Sequence, residues 1–288
     1  AEWQEPGLRR LRAPNPGPMT HSGTNTYILG EGRVAVIDPG PALPAHLAAI
    51  LAALAPGETV SHILVTHSHA DHSPLARPLA EATGAPVLAF GDAAAGRSPR
   101  MADLALEGAL GGGEGIDAAF RPDATLADGA RVEGAGWTLR AIHSPGHIGN
   151  HLCLAWGDRV FSGDHVMGWA TSLVSPPDGD MGAYMQSLDR LAAEGAARLY
   201  PGHGDPVSDP AARIAALVAH RREREAQILA ALAGGPAEAP ALAARIYRDT
   251  PPALLPAATR NVLAHLVDLM DRNLVLSDVP PGIASRFR

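Results

Sequence analysis

Six consecutive positions, His67-Ser68-His69-Ala70-Asp71-His72, place three imidazoles and a carboxylate together, one residue (Thr66) after the apolar run Ile63-Leu64-Val65. That run is short, β-branched and uncapped, so it reads as a buried strand. The polar residues then fall on the loop leaving its carboxyl end. Neutral imidazole is the commonest side-chain ligand of divalent transition metals. Four donors this close cannot all reach one tetrahedral ion without straining the loop. His67 and His69, pointing the same way from an extended segment, suit one ion, and Asp71 and His72 are left to face a second. The bland alternative is a polar surface loop that happens to hold histidines. With 13 histidines in 288 residues, chance does not readily produce such a cluster.

Three later segments set a polar residue beside a glycine at a strand end: Ser144-Pro145-Gly146-His147, Phe161-Ser162-Gly163-Asp164-His165 and Tyr200-Pro201-Gly202-His203-Gly204-Asp205. Glycine lets the backbone turn sharply, so the neighbouring side chain projects above the sheet. Each alone is an ordinary turn; the series describes a binuclear centre. Two ions roughly 3.5–4 Å apart need an anion between them, and a carboxylate supplies it without a proton. Asp164 is the natural bridge. His67, His69 and His147 then complete one site, and Asp71, His72 and His203 the other. A water or hydroxide shared by both ions has its pKa lowered towards about 7, which makes it a nucleophile at neutral pH. Asp71 is placed to receive a proton. Such nitrogen and oxygen sites accept Fe and Mn as well as Zn.

The elements that must position these residues alternate in type. Strands over 26–29 and 34–37 form a hairpin around Gly30-Glu31-Gly32, after a Pro- and Gly-rich, irregular lead-in over 1–24. A helix over 44–54, the strand 60–65, a helix over 74–83 and a strand over 86–90 follow. Residues 91–115 read as a loop and a candidate lid, with Gly111-Gly112-Gly113 its most flexible point. Strands over 131–132, 137–142, 152–156 and 159–162, a long loop over 164–180, a helix over 181–193 and a strand over 198–200 complete this part. Hairpins alternating with helices twice over imply two sheets back to back with helices outside.

From Pro210 the period changes. Residues 211–233 form a long amphipathic helix through Ile214, Leu217, Val218, Ile228, Leu229 and Leu232, with Arg221-Arg222-Glu223-Arg224-Glu225 charged and exposed in its middle. It is also a candidate surface for a homodimer. Helices over 239–247 and 255–272 and a short strand over 274–276 complete a winged-helix-like unit. The expected division is a catalytic domain over 1–210 and a helical C-terminal domain over 211–288.

Composition narrows the function classes. All 23 basic residues are arginine, so no lysine can act as a base, a Schiff-base former or an oxyanion clamp. Residues 1–210 carry 13 arginines against 23 acids, a balance of −10 that bound dications would partly offset; residues 211–288 carry 10 against 7, a balance of +3. No run of about 18 apolar residues is present, which excludes a helical membrane span. The N-terminus has neither a basic head nor an apolar stretch, so no signal peptide is expected. The single cysteine, Cys153, lies in an apolar run and rules out an intramolecular disulfide, which fits the cytoplasm.

The H-x-H-x-D-H loop, the later PGH, GD and PGH motifs and their order resemble the metallo-β-lactamase fold superfamily. Gly23-Thr24-Asn25-Thr26-Tyr27, Tyr184-Met185-Gln186-Ser187-Leu188, the stretch from His220-Arg221-Arg222 to Gln227-Ile228-Leu229, and Ile246-Tyr247 resemble the branch that holds the β-lactamase-like endoribonuclease with its C-terminal winged-helix-like domain. The resemblance covers nearly the whole chain. It implies an αβ/βα sandwich, two zinc ions and hydrolysis, with His67, His69, Asp71, His72, His147, Asp164 and His203 as ligands. The chain departs from that branch in His165 after Asp164, in the absence of lysine and in its weak basic character.

Around this set, Asp38 at a strand end is expected to hold a metal histidine by its second ring nitrogen, and His151 to orient a ligand loop. His165 is a candidate pocket residue or oxyanion donor, and Tyr184 and Trp169 are candidate substrate contacts. The leading expectation is a dinuclear zinc hydrolase that cleaves phosphodiesters of single-stranded RNA by metal-bound hydroxide. The alternatives are a small ester-like substrate (a thioester or lactone, as in glyoxalase II-like relatives), a β-lactam, and a non-catalytic nucleic-acid-binding protein with structural zinc. Structural zinc sites are closed by four protein ligands, which does not describe this set.

Overall fold

Strands buried on both faces must be apolar throughout, and the sequence meets this with β-branched residues. The computed structural model describes residues 1–108, 110–113, 115–277 and 279–288. Among these, β1 (Glu2–Glu5), β2 (Leu8–Arg12), β3 (Asn25–Leu29), β4 (Arg33–Ile37), β5 (Thr59–Leu64), β6 (Val87–Ala89) and β7 (Ala124–Thr125) lie side by side in that order as one sheet. The strands up to β4 are antiparallel; β4 to β7 run parallel. The second sheet holds β8 (Arg131–Gly134), β9 (Trp137–His143), β10 (Leu152–Trp156), β11 (Arg159–Gly163) and β12 (Arg198–Pro201), again in sequence order across the sheet.

Period-2 alternation sorts side chains between two cores. Tyr27, Leu29, Ala35, Ile37 and Leu64 point inward and meet Trp137, Leu139, Ala141, Leu154, Phe161 and Tyr200 of the other sheet. Ile28, Val34, Val36, Ile63 and Val65 point outward against Ile50 of α1 (Pro44–Ala52) and Leu79 of α2 (Ala76–Thr83). Between α2 and the second sheet in chain order lies α3 (Pro99–Glu107). Outside the second sheet, Cys153, Val160 and Leu199 pack on Tyr184, Leu188 and Leu191 of α4 (Met181–Ala193) and on Ile214 and Leu217 of α5 (Pro210–Leu232).

The C-terminal layer comprises α6 (Ala239–Ile246), α7 (Leu255–Asp271), and β13 (Ala237–Glu238) paired antiparallel with β14 (Arg286–Phe287). Ile228 and Leu232 of α5 join Leu242, Val262, Leu266 and Phe287 in its core. No described helix is long and apolar enough to cross a membrane.

Several expectations need correcting. The lead-in is not irregular, because β1 and β2 extend the first sheet. Arg9 and Arg10 of β2 are buried and paired with Glu58, and with Glu2 and Asp205. Residues 91–115 are not a free lid. Ser98 caps α3 by accepting from the Met101 N–H, and Met101 and Leu104 are buried in the C-terminal core. The Gly113 N–H donates to Asp178 at 2.7 Å, and the Gly115 carbonyl accepts from Ala70 at 2.7 Å, tying the segment to the histidine loop.

Arg221 is buried, not exposed (1 %). It continues the face of Leu217 by one helical turn. The apolar residues Ile214, Leu217, Ile228 and Leu232 of the same helix are buried within the chain. The strand expected over 274–276 reduces to a rung in which Leu276 and Arg288 exchange backbone hydrogen bonds.

Candidate metal centre

β4 and β5 end side by side, and their exits build the centre. Asp38, just past β4, adopts φ +49°, a left-handed conformation that aspartate tolerates better than most residues. Its carboxylate accepts from the Thr66 N–H and hydroxyl, both at 2.7 Å, and from His72 Nδ1 at 2.9 Å. This fixes the His72 tautomer and aims Nε2 at the centre. The Thr66 hydroxyl, having donated to Asp38, accepts from His67 Nδ1 at 2.9 Å. His67 Nε2 is then bare, buried and without a hydrogen-bond partner.

The other ligands arrive from the second sheet. His147 Nδ1 donates to the Leu173 carbonyl at 2.6 Å, and its Nε2 lies 2.9 Å from His69 Nδ1. His203 Nδ1 faces the Gly23 carbonyl at 3.3 Å, and its Nε2 lies 3.0 Å from Asp71 and 3.3 Å from Asp164. His72 Nε2 is 3.3 Å from Asp71 and 3.4 Å from Asp164. The Asp164 carboxylate, one oxygen of which has no hydrogen-bond partner, also comes within 3.8 Å of His147 Nε2. Thr24 steadies Asp71 by a hydroxyl bond at 3.1 Å.

These atoms fall into three overlapping groups: His67, His69 and His147; His67, His72 and Asp164; and Asp71, His72 and His203. Buried polar atoms normally find partners, so an orphaned imidazole nitrogen facing an orphaned carboxylate oxygen fits a cation. All seven residues expected as ligands converge, and Asp164 lies between the two sets. The nitrogen and carboxylate donors suit zinc, and iron or manganese also.

Electrostatics divides the set. Burial, reinforced by neighbouring histidines, holds His67 well below the usual imidazole pKa and His69 at about 3. Burial opposes charge on His72 and His203 as well, but Asp71 and Asp164 outweigh it. His72 is raised well above its usual value and His203 to about 9. Burial likewise opposes ionisation of Asp71 and Asp164, and the facing histidines outweigh it, holding both carboxyls well below their usual range.

At neutral pH without ions, therefore, protons on His72 and His203 occupy the Asp71 side of the centre. Loading metal at pH 7 is expected to release about two protons per chain from these imidazoles. Calorimetry in buffers of different ionisation enthalpy measures this directly, and a proton count near zero would contradict it. The sign for stability follows from the raised His203 pKa. Its contribution to the metal-free protein is complete below about 6.5 and is lost as pH rises through about 9.

Other expected site residues lie outside the cavity. His151 is buried against His67, 5.1 Å between ring centroids, and its Nδ1 meets Ser144 at 2.8 Å. His165 is fully buried between His151 and Tyr184, so it cannot donate to a substrate. Tyr184 is also fully buried, its hydroxyl donating to the His165 carbonyl at 3.1 Å, so it is not a substrate contact either. Trp169 packs on His21, 4.8 Å between centroids. The sequence gives no sign of the cavity itself, about 740 Å³, whose lining includes His69, Asp71, His147, Asp164 and His203. Its remaining walls include Met19, Ile116, Leu173, Leu254, Ala257 and Ile283. Those residues come from distant segments without a shared motif.

Comparison with known proteins agrees with this geometry. Residues 19–203 match the family model described as the metallo-beta-lactamase superfamily, and residues 239–279 match the beta-lactamase associated winged helix domain. The chain is 34% identical over 274 residues to the beta-lactamase-like protein 2 homolog of Drosophila melanogaster, covering 90% of this chain and 86% of that protein. It is 32% identical over 236 residues to an atrochrysone carboxyl ACP thioesterase of Aspergillus terreus, covering 81% of this chain but only 65% of that protein. A solved metallo-beta-lactamase family protein from Thermus thermophilus aligns with a TM-score of 0.78 and 28% identity over 98% of both chains. With a candidate metal donor set on an αβ/βα sandwich and these matches, the chain belongs to the metallo-beta-lactamase superfamily and is a metal-dependent hydrolase of that fold, followed by a winged helix domain.

Proposed function

We propose that the centre hydrolyses a thioester, or a comparably activated carboxylic ester, whose acyl part is apolar. The observation that carries this reading is the cavity wall. Beside the donor set the cavity is lined by Met19, Ile116, Leu173, Leu254, Ala257 and Ile283, with Thr20, Ser175, Asp178, Thr259 and Arg260 the polar exceptions, a lining suited to a hydrocarbon chain rather than a polyanion. Two dications, one at His67, His69 and His147 and one at Asp71, His72 and His203 with Asp164 between, would polarise a carbonyl and lower the pKa of a water. The chain's own residues do the rest. The apolar wall orients the acyl group and excludes water behind it. The Asp71 carboxylate, at the cavity edge, can take up the proton of the attacking water. Hydrolysis then adds hydroxyl to the acyl carbon, and the leaving thiolate carries away the electron pair of the broken C–S bond.

Cleavage of single-stranded RNA is the competing reading, and the endoribonuclease-like motifs favour it. Such binding uses a basic groove with aromatic rings for base stacking. Among the described residues the cavity wall offers one arginine, Arg260, already donating to Ser175 and to the Leu110 and Pro176 carbonyls. Arg272 pairs with Glu225 and Asp268. The likeness to the fungal thioesterase supports the acyl reading.

A panel of acyl thioesters, lactones, nitrocefin and RNA oligonucleotides, with and without chelator, tests it. Chelator-sensitive thioester turnover is expected, at about two ions per chain. Filling the wall with Ala257→Trp is expected to slow a long acyl chain at least about tenfold more than an acetyl group, since each buried methylene is worth about 0.8 kcal/mol. RNA cleavage without thioester turnover would overturn the proposal.

A further inference from the structure

Long loops over a catalytic centre are seldom held by buried cations, because a guanidinium removed from water is costly without an anionic partner. The loop over 164–180 is held by the buried Arg221 and Arg260 together with the half-buried Arg213. Arg213 donates to the Met167 and Ala170 carbonyls at 2.7 and 2.5 Å. Arg221 donates to the Ser172 carbonyl and, at 3.2 Å, to Asn261 Oδ1. The same Asn261 oxygen accepts from the Val174 N–H at 3.0 Å. Arg260 adds bonds to Ser175 and the Pro176 carbonyl. Arg221 is 1 % exposed, its cation lying 5.1 Å from the Tyr184 ring centroid. Both of its acceptors, Ser172 and Asn261, are neutral groups.

Between Ser172 and Val174 stands Leu173, whose carbonyl accepts from His147 Nδ1 at 2.6 Å. That bond decides which nitrogen of His147 is bare and where it points. The peptide carrying it is clamped on both sides from α5 and α7. We propose that Arg221 and Asn261 are positioning residues for the metal site formed by His67, His69 and His147, acting through the Leu173 carbonyl. The C-terminal layer thus reaches the centre without contributing a ligand. The inference depends on metal binding at this donor set and not on which substrate the cavity takes.

Partners that orient a ligand histidine typically change metal affinity 10- to 100-fold when removed. Zinc competition against a chromophoric chelator, resolving both ions, should show Arg221→Met weakening one ion by that factor and leaving the other unchanged. The ion affected should be the one lost in His147→Ala, and adding Arg221→Met to His147→Ala should weaken the remaining ion no further. The milder Asn261→Ala, which removes the shared acceptor, should show the same selectivity and decides the matter if Arg221→Met does not fold. Unchanged affinities overturn the proposal. Equal weakening of both ions with a lower melting temperature of the metal-free protein also overturns it, since that is what a purely structural arginine produces.

Discussion

Replacement of Asp164 by alanine is expected to lower kcat/KM by at least about 10³-fold and to cut the metal content from about two ions per chain to one or fewer. Asp164 meets His72 and His203 at 3.3–3.4 Å and approaches His147 at 3.8 Å, so its carboxylate reaches both donor sets. Charge stabilisation by the metal pair is worth several kcal/mol, and each 1.36 kcal/mol is a factor of ten in rate. The fold should survive, because the residue rises above the sheets and is not part of the apolar cores. Metal analysis by mass spectrometry and near-native circular dichroism check the two halves separately. A variant that keeps two ions and activity within tenfold of the parent would remove Asp164 from the bridging position.

The second large effect is expected from one methyl group. A Cβ at Gly202 would lie 2.4 Å from Asp164 Oδ1 and 2.6 Å from His72 Cε1, closer than side-chain carbons approach such atoms. The backbone cannot readily yield, because the Gly202 N–H donates to Gly163 at 2.8 Å and its carbonyl accepts from Asn25 at 2.7 Å. The Asp164 carboxylate and His72 must therefore move. Displacement by about 1 Å at a catalytic centre costs on the order of 10²-fold. Gly202→Ala should show that loss in turnover, with weakened zinc binding. Gly168→Ala, whose Cβ would meet only ordinary contacts from 3.5 Å outward, should be close to neutral. Parental zinc affinity and turnover in Gly202→Ala would show that the centre has slack the geometry denies.

Much of the centre was legible because its chemistry is local in sequence. Three histidines and an aspartate within one loop, and glycine beside each later polar residue, mark strand exits whatever the rest of the chain does. Asp38 was legible for a related reason: an acid at the end of an apolar strand has few uses other than a turn or a partner above the sheet. His165 was misplaced because adjacency to a ligand says nothing about direction, and neighbouring positions around Asp164 face opposite ways; Tyr184, one turn before Leu188 on α4, packs with it into the core instead. β2 was hidden by Arg9 and Arg10, whose burial depends on Glu58, Glu2 and Asp205 elsewhere in the chain.

Other local signals mark elements directly. Ser98 before Pro99, and Gly108 nine residues after Pro99, are the start and stop marks of a helix, and they delimit α3. Arg221 sits four residues after Leu217 and seven before Ile228, on the apolar face of α5, although its neighbours are charged. The cavity could not be read, because Met19, Ile116, Leu254 and Ile283 meet only after folding.

Helix α5 carries a consequence for how this protein was assembled. Its first turns are rooted beneath the second sheet by Ile214 and Leu217, and its last turns are rooted in the winged helix by Ile228 and Leu232. A rod of 23 residues, about 35 Å long, is thus shared property of both halves. The tail is not a bead on a string that recombination could swap at a neutral joint. Heat or denaturant is therefore expected to unfold both halves in one transition, and removing the tail would expose the surface that α5 covers.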